Sequence, residues 1–198
     1  SSPKMCLTNS GTESVETAIK LIRWHTRKPR LISFIGSFHG RTYGALSCTA
    51  DKTHFLNRFF PLVPGVTHVP YPYCYRCAFK QSFPECDYWC IDYIKENVID
   101  QYVPREETAA FIIETILGEG GYVPPPPDYF KRLRKLTDEY DINLILDEIQ
   151  SGIGRTGKWW AIEHYGIEPD MVCFAKGIAS GLPLGGVIVK SEIMDWSP

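Results

Sequence analysis

Leu144-Ile145-Leu146-Asp147-Glu148-Ile149-Gln150 is an apolar run that stops on a carboxylate, and Phe174-Ala175-Lys176-Gly177-Ile178 repeats the pattern with a lysine at the stop. A strand covered on both faces needs apolar residues at successive positions rather than alternate ones, the usual condition inside a parallel sheet. Working outward, the candidate strands are Lys4–Thr8, Arg30–Ile35, Ala109–Glu114, Ile142–Leu146, Met171–Ala175 and Gly186–Val189. Between several of them the apolar period lengthens to that of a helix. Val15, Ala18, Ile19 and Ile22 share one face, Tyr129, Leu133, Leu136 and Tyr140 share another, and Tyr88–Tyr102 is a further amphipathic stretch. Strands alternating with helices predict βαβ units and a mainly parallel α/β sheet. Pro61 to Pro84 and Gly118 to Asp128 interrupt the pattern; proline fixes φ and lacks an N–H, so both are expected as loops rather than sheet.

The 198 residues, 44% of them hydrophobic, suit one domain with a substantial core. Lysine and arginine total 21 against 23 acidic residues, so the net charge of -2 offers no basic field for nucleic acid. No apolar run reaches the roughly 18 residues of a membrane span, and Ser1-Ser2-Pro3-Lys4 opens no signal-peptide core. The expectation is a soluble cytoplasmic protein without a nucleic-acid or membrane partner. Seven scattered cysteines fit a reducing compartment better than a disulfide scaffold. A strand begins close to Ser1, and Pro198 closely follows a new segment, Ser191-Glu192-Ile193-Met194, so both ends look cut from a longer protein.

Three sites carry chemistry. Thr8-Asn9-Ser10-Gly11-Thr12-Glu13 lies between a strand and a helix, with Ser10 and Glu13 at capping-box spacing and Gly11 permitting close approach of a ligand. Free N–H groups at such a helix start can hold a phosphate; a plain capped helix is the alternative. Asp147 ends a buried strand, and ligands of parallel sheets bind at the carboxyl ends of strands, although a turn cap would need the same residue. Lys176 leaves another apolar strand into a glycine-rich turn, where partial desolvation favours the neutral amine needed for an imine; a surface lysine is the plainer reading. Converging on one crevice, the three would supply a phosphate cradle, a carboxylate for a pyridinium nitrogen and an imine-forming amine, the needs of a single cofactor.

The motifs also resemble a known family. Asn9-Ser10-Gly11-Thr12-Glu13, Ser37-Phe38-His39-Gly40-Arg41-Thr42, Gly118-Glu119-Gly120-Gly121, Asp147-Glu148-Ile149-Gln150-Ser151-Gly152 with Gly154-Arg155-Thr156-Gly157, and Ala175-Lys176-Gly177-Ile178 match, in order and spacing, the class III (ω-amino acid) aminotransferases. The chain is most similar to the archaeal-type 4-aminobutyrate aminotransferases. The resemblance implies a three-layer αβα fold with a seven-stranded sheet, the large domain of pyridoxal 5'-phosphate (PLP) enzymes of fold type I, and a homodimer.

By resemblance, Ser10, Gly11 and Thr12 lie at the PLP phosphate and Phe38 stacks on the ring. His39 and Glu114 support the cofactor, Asp147 pairs with the ring nitrogen, Gln150 contacts the phenolic oxygen region, and Lys176 forms the Schiff base. Arg41 binds the substrate carboxylate, a task suited to its planar fork of donors. Glu119 resembles the residue that pairs with a switching arginine, which would lie beyond Pro198. Thr115 and Leu117 depart from the family's usual proline and glutamine, which puts the substrate loop around Glu119 in question.

The implied reaction moves an amino group from an ω-amino acid such as 4-aminobutyrate to a 2-oxo acid, 2-oxoglutarate by expectation. A racemase or epimerase of the same family would use the same residues. Cys74, Cys77, Cys86 and Cys90, spaced C-x2-C-x8-C-x3-C, admit zinc, disulfides or free thiols. A zinc-stabilised interaction module is the non-enzymatic reading, and it leaves the three convergent motifs unexplained.

Overall fold

The computed structural model describes residues 2–195; the expected domain ends at Ser1 and Pro198 lie outside the described residues. β1 (Lys4–Thr8) leads into α1 (Gly11–Thr26), β2 (Arg30–Ile35), α2 (Tyr43–Cys48), α3 (Thr53–Leu56) and β3 (Val66–Pro70). α4 (Trp89–Tyr93) and a π-helical turn, Ile94–Ile99, precede β4 (Thr108–Glu114), α5 (Tyr129–Glu139), β5 (Asn143–Asp147), β6 (Met171–Phe174), β7 (Gly185–Val189) and α6 (Ser191–Met194). The strands form one sheet in the order β1-β7-β6-β5-β4-β2-β3. β6, β5, β4, β2 and β3 pair in parallel, while β7 runs antiparallel to both β6 and β1.

Successive apolar residues feed opposite faces of this sheet. Ile32, Phe34, Phe111, Ile113, Leu144 and Leu146 pack under α5 and the α4 segment, against Phe130, Leu133, Leu136, Ile94 and Val98. Leu31, Ile112, Ile145, Met171, Cys173 and Val187 pack on the other side against Val15, Ala18, Ile19 and Ile22 of α1. The outcome is the three-layer αβα architecture, and each fully buried Ile or Leu adds on the order of 2 kcal/mol of hydrophobic stabilisation.

Two expectations need correction. The segment from Pro61 to Pro84 is not wholly loop, because Val66–Pro70 forms the edge strand β3. An edge strand has one neighbour and tolerates a proline at its end, so Pro70 does not exclude it. The expected helix over Tyr88–Tyr102 is also broken: Tyr88 sits at φ 62, α4 is five residues, and the chain then widens into the π-turn. That wider turn lets both Val98 and Ile99 face the core.

Register sets the chemistry. Glu114 pairs with Asp147 across β4 and β5, and Asp147 pairs with Cys173 of β6. Both carboxylates and the exit toward Lys176 therefore meet at the carboxyl edge of the parallel strands.

Candidate active site

α1 starts at that same edge. Ser10 has extended backbone and its hydroxyl accepts from Glu13 N at 3.3 Å, while the Glu13 carboxylate reaches back to Asn9 N at 2.7 Å. The capping box is thus shifted by one residue from the Ser10–Glu13 reciprocity expected. Gly11 and Thr12 N–H, in the first turn, have no intrahelical acceptor and are free for an anion. Ser14 Oγ holds the helix start to β6 through Phe174 O at 3.2 Å.

Thr12 Oγ1 is engaged with Thr42 Oγ1 at 2.7 Å, and Thr42 in turn donates to Glu16 at 2.5 Å. These bonds tie the helix start to the Phe38–Thr42 loop. Gly40 is required there: its φ is +141°, and a Cβ would fall 2.3 Å from Thr12 Oγ1.

Asp147 is buried with both oxygens engaged, Oδ1 by Ile149 N at 3.0 Å and Oδ2 by His39 Nδ1 at 2.8 Å. Glu114 is buried beside it and accepts Phe38 N at 2.7 Å and Gly118 N at 2.8 Å. Burial, and after it the neighbouring Asp147 charge, pushes the Glu114 carboxyl up to about 7 against the pull of those N–H groups. Gly118 has no Cβ because one would meet Gln150 Nε2 at 2.4 Å. Gln150 Oε1 accepts a hydrogen bond from Lys176 Nζ.

Ser10, Gly11, Thr12, Phe38, His39, Arg41, Glu114, Glu119, Asp147, Gln150 and Lys176 all line one cleft of about 520 Å³. Arg41 lies with Cζ 5.7 Å from the rings of Phe38 and Phe55 and forms no ion pair among the described residues. Glu119 sits at the exposed rim, its Oε2 3.9 Å from Lys52 Nζ. Thr115 and Leu117 serve the scaffold: Thr115 donates to Glu148 at 2.7 Å, and Leu117 is buried in a bridge with Val123. The desolvation expected of Lys176 is not met, since its side chain is exposed in this chain. The reason is that it turns outward at φ 48, immediately after the buried strand end.

Several features escaped sequence reasoning. Phe55, Leu182 and Leu184 add apolar wall to the cleft. Phe55 belongs to a four-residue helix, too short to carry a period. Glu148 is buried and accepts from Thr115 Oγ1, Ser151 Oγ, Ala161 N and Ile162 N at 2.7–3.0 Å, joining three loops behind the cleft.

The donor set fits PLP. It offers free helix N–H groups for a phosphate, a buried carboxylate for a basic ring nitrogen, an aromatic wall and a primary amine within one concavity. A family model described as "Aminotransferase class-III" matches residues 1–198. The leucine/methionine racemase of Thermococcus litoralis is 42% identical over 99% of this chain and 44% of its own length. The acetylornithine aminotransferase of Methanopyrus kandleri is 42% identical over 97% of this chain and 43% of its own. The crystal structure of taurine:2-oxoglutarate aminotransferase from Bifidobacterium kashiwanohense, in complex with PLP and glutamate, superposes with a TM-score of 0.87 at 34% identity. That match covers 97% of this chain and 43% of the other. The chain spans less than half the length of these relatives.

Proposed function

Because this chain belongs to the class-III aminotransferase family, we propose that residues 1–198 are the cofactor-binding large domain of a PLP enzyme that moves an amino group from an ω-amino acid to a 2-oxo acid. 4-Aminobutyrate and 2-oxoglutarate are the substrates we propose, with a cytoplasmic homodimer as the working form. The observation that carries the reading is the convergence of Lys176, Asp147 and the free end of α1 on one cleft.

PLP, when bound, supplies an aldehyde for amine capture and a protonated ring that withdraws electrons from the reacting carbon. Gly11 and Thr12 N–H would hold the phosphate, with Ser10 beside them. Asp147 would face the ring nitrogen, where a carboxylate in contact would favour its protonated form. His39 and Ile149 N hold that carboxylate in place. Phe38 provides the aromatic wall and Gln150 orients the amine it contacts. Lys176 Nζ takes the proton from the substrate carbon and returns it, as general base and then acid. Arg41, which forms no ion pair among the described residues, receives the distal carboxylate as a two-point clamp.

A racemase is the second reading, favoured by the similarity to the Thermococcus litoralis racemase. It uses the same lysine, carboxylate and phosphate cradle and differs only in where the proton returns.

The test is the visible spectrum of the full-length protein, followed by borohydride reduction and peptide mass mapping. A reduced cofactor adduct on Lys176 is expected, and Lys176→Ala should abolish turnover. An adduct elsewhere, or multiple turnovers in the variant, would overturn the assignment.

A further inference from the structure

Cys74, Cys77, Cys86 and Cys90 are free thiols, and among the described residues no group of three or more His, Cys, Asp or Glu is placed so that it could hold a metal ion. The buried Glu114 is a different case. It forms no ion pair among the described residues, and a charge taken out of water is costly unless hydrogen bonds replace the water it loses. Two do: Oε1 accepts from Phe38 N at 2.7 Å and Oε2 from Gly118 N at 2.8 Å. Two N–H donors converging on two oxygens need a side chain that accepts at both ends, whereas glutamine would turn an amide N–H toward one of them.

Those donors belong to the two loops that bring charged groups to the cleft. Phe38 opens the segment that ends in Arg41, whose Cζ lies 5.7 Å from the Phe38 ring. Gly118 precedes Glu119 at the rim. Gly118 also backs onto Gln150, which leaves no room for a Cβ, and Gln150 Oε1 accepts from Lys176 Nζ. The loops touch directly as well, since a Cβ on Gly120 would fall 2.5 Å from Gly36 O. The Tyr71 hydroxyl, 3.3 Å from both Glu114 O and Thr115 O, fixes the strand end from which Glu114 projects.

We propose that Glu114 is a specificity-determining positioning residue, whose two oxygens hold the Arg41 loop and the Glu119 loop at one spacing and so set the length of ω-amino acid that fits between Lys176 and Arg41. This role rests on the proposed function, in which Lys176 meets the amine and Arg41 the distal carboxylate. A substrate held at both ends is measured only by a rigid frame. Arg41 belongs to the loop held at Phe38 N, and Lys176 is held by Gln150 beside the loop held at Gly118 N, so the two bonds of Glu114 join the two ends. Freed from one oxygen, a loop takes several positions and admits neighbouring lengths.

The test is the half-reaction of the full-length holoenzyme with 3-aminopropanoate, 4-aminobutyrate and 5-aminopentanoate, without acceptor, at pH 8, above the titration of Glu114 near 7. In wild type the fastest should exceed the next by about tenfold, the discrimination a fitted pocket gives one methylene, and in Glu114→Gln that ratio should fall to about two or less. A purely structural loss slows all three alike. Equal ratios in the two proteins, or no length preference in wild type, overturn the proposal alone; conversion of none of the three by wild type overturns the substrate reading together with it. Should Glu114→Gln fail to fold, amide exchange in the wild-type holoenzyme decides. Phe38 and Gly118 N–H should exchange as slowly as the β4 amides, and loop-like exchange of either removes the clamp.

Discussion

His39 Nδ1 lies 2.8 Å from Asp147 Oδ2, with both side chains buried. The contact assigns the Nδ1 proton to the donor role, and Ile149 N at 3.0 Å holds the second oxygen. His39→Leu leaves one carboxylate oxygen without its partner, a loss of about 1–3 kcal/mol for a buried acceptor. We expect a fall of roughly 10- to 100-fold in the proton-abstraction rate of the full-length enzyme. His39→Asn, whose amide can stand where Nδ1 does, should recover part of it. Single-turnover kinetics checks this, and equal rates in wild type and His39→Leu would remove His39 from the machinery. Asp147→Asn, which deletes the charge itself, should cost more than ~100-fold.

Glu114 and Asp147 are register partners, and Glu114 titrates near 7 because it is buried beside that charge. Between the ordinary carboxylate range and about pH 7 the folded chain keeps a proton that the unfolded chain has released. This group's stabilisation is therefore full in acid and is lost as pH rises through about 7. Glu114→Gln removes the titration. The melting temperature of cofactor-free wild type minus that of Glu114→Gln should decrease from pH 5 to pH 8. A difference that stays level would show that Glu114 does not hold the proton.

Arg41 reaches the cleft with its guanidinium near the Phe38 and Phe55 rings and, among the described residues, without an acidic partner. Arg41→Lys keeps the charge but loses the planar fork and the ring contacts. Binding of an ω-amino acid should weaken about tenfold or more, as expected for a lost charge-assisted bond. A simple amine should bind nearly unchanged. Equal losses for both ligands in equilibrium titrations would make Arg41 a structural residue.

Strand positions were legible wherever apolar residues ran without interruption, and β1 and β2 begin and end where the sequence places them. β3 was hidden because an edge strand needs little apolar covering and the prolines in and around it signal a loop. Asp147, Lys176 and the start of α1 were legible as cleft-facing positions because they stand at strand and helix ends, where local sequence sets direction, whereas Phe55, Leu182 and Leu184 were not. Contacts between distant segments were not. His39 and Asp147 are 108 positions apart, and nothing in either local sequence announces their bond. The same holds for Glu148, whose donors Thr115, Ala161 and Ile162 lie outside its local sequence. The exposure of Lys176, not its place in the cleft, differs from expectation for a related reason: one positive φ turns the side chain out of the apolar strand that precedes it.

Under the proposed function, transamination and racemisation would share Lys176, Asp147 and the start of α1, so these three groups do not separate them. Only the destination of the proton differs. A transaminase delivers it to the cofactor and leaves the amine there, whereas a racemase returns it to the substrate carbon from the opposite face. Glu119 and Arg41 favour transamination, because charged groups at a cleft rim suit donors and acceptors that differ in carboxylate position. Incubating the full-length enzyme with 4-aminobutyrate and no acceptor should therefore shift its visible spectrum to that of the pyridoxamine form. Added 2-oxoglutarate should restore the first spectrum and release glutamate. If neither change occurs with any ω-amino donor, while an L-amino acid such as leucine loses optical activity without a 2-oxo acid present, the protein is a racemase and Arg41 has another task.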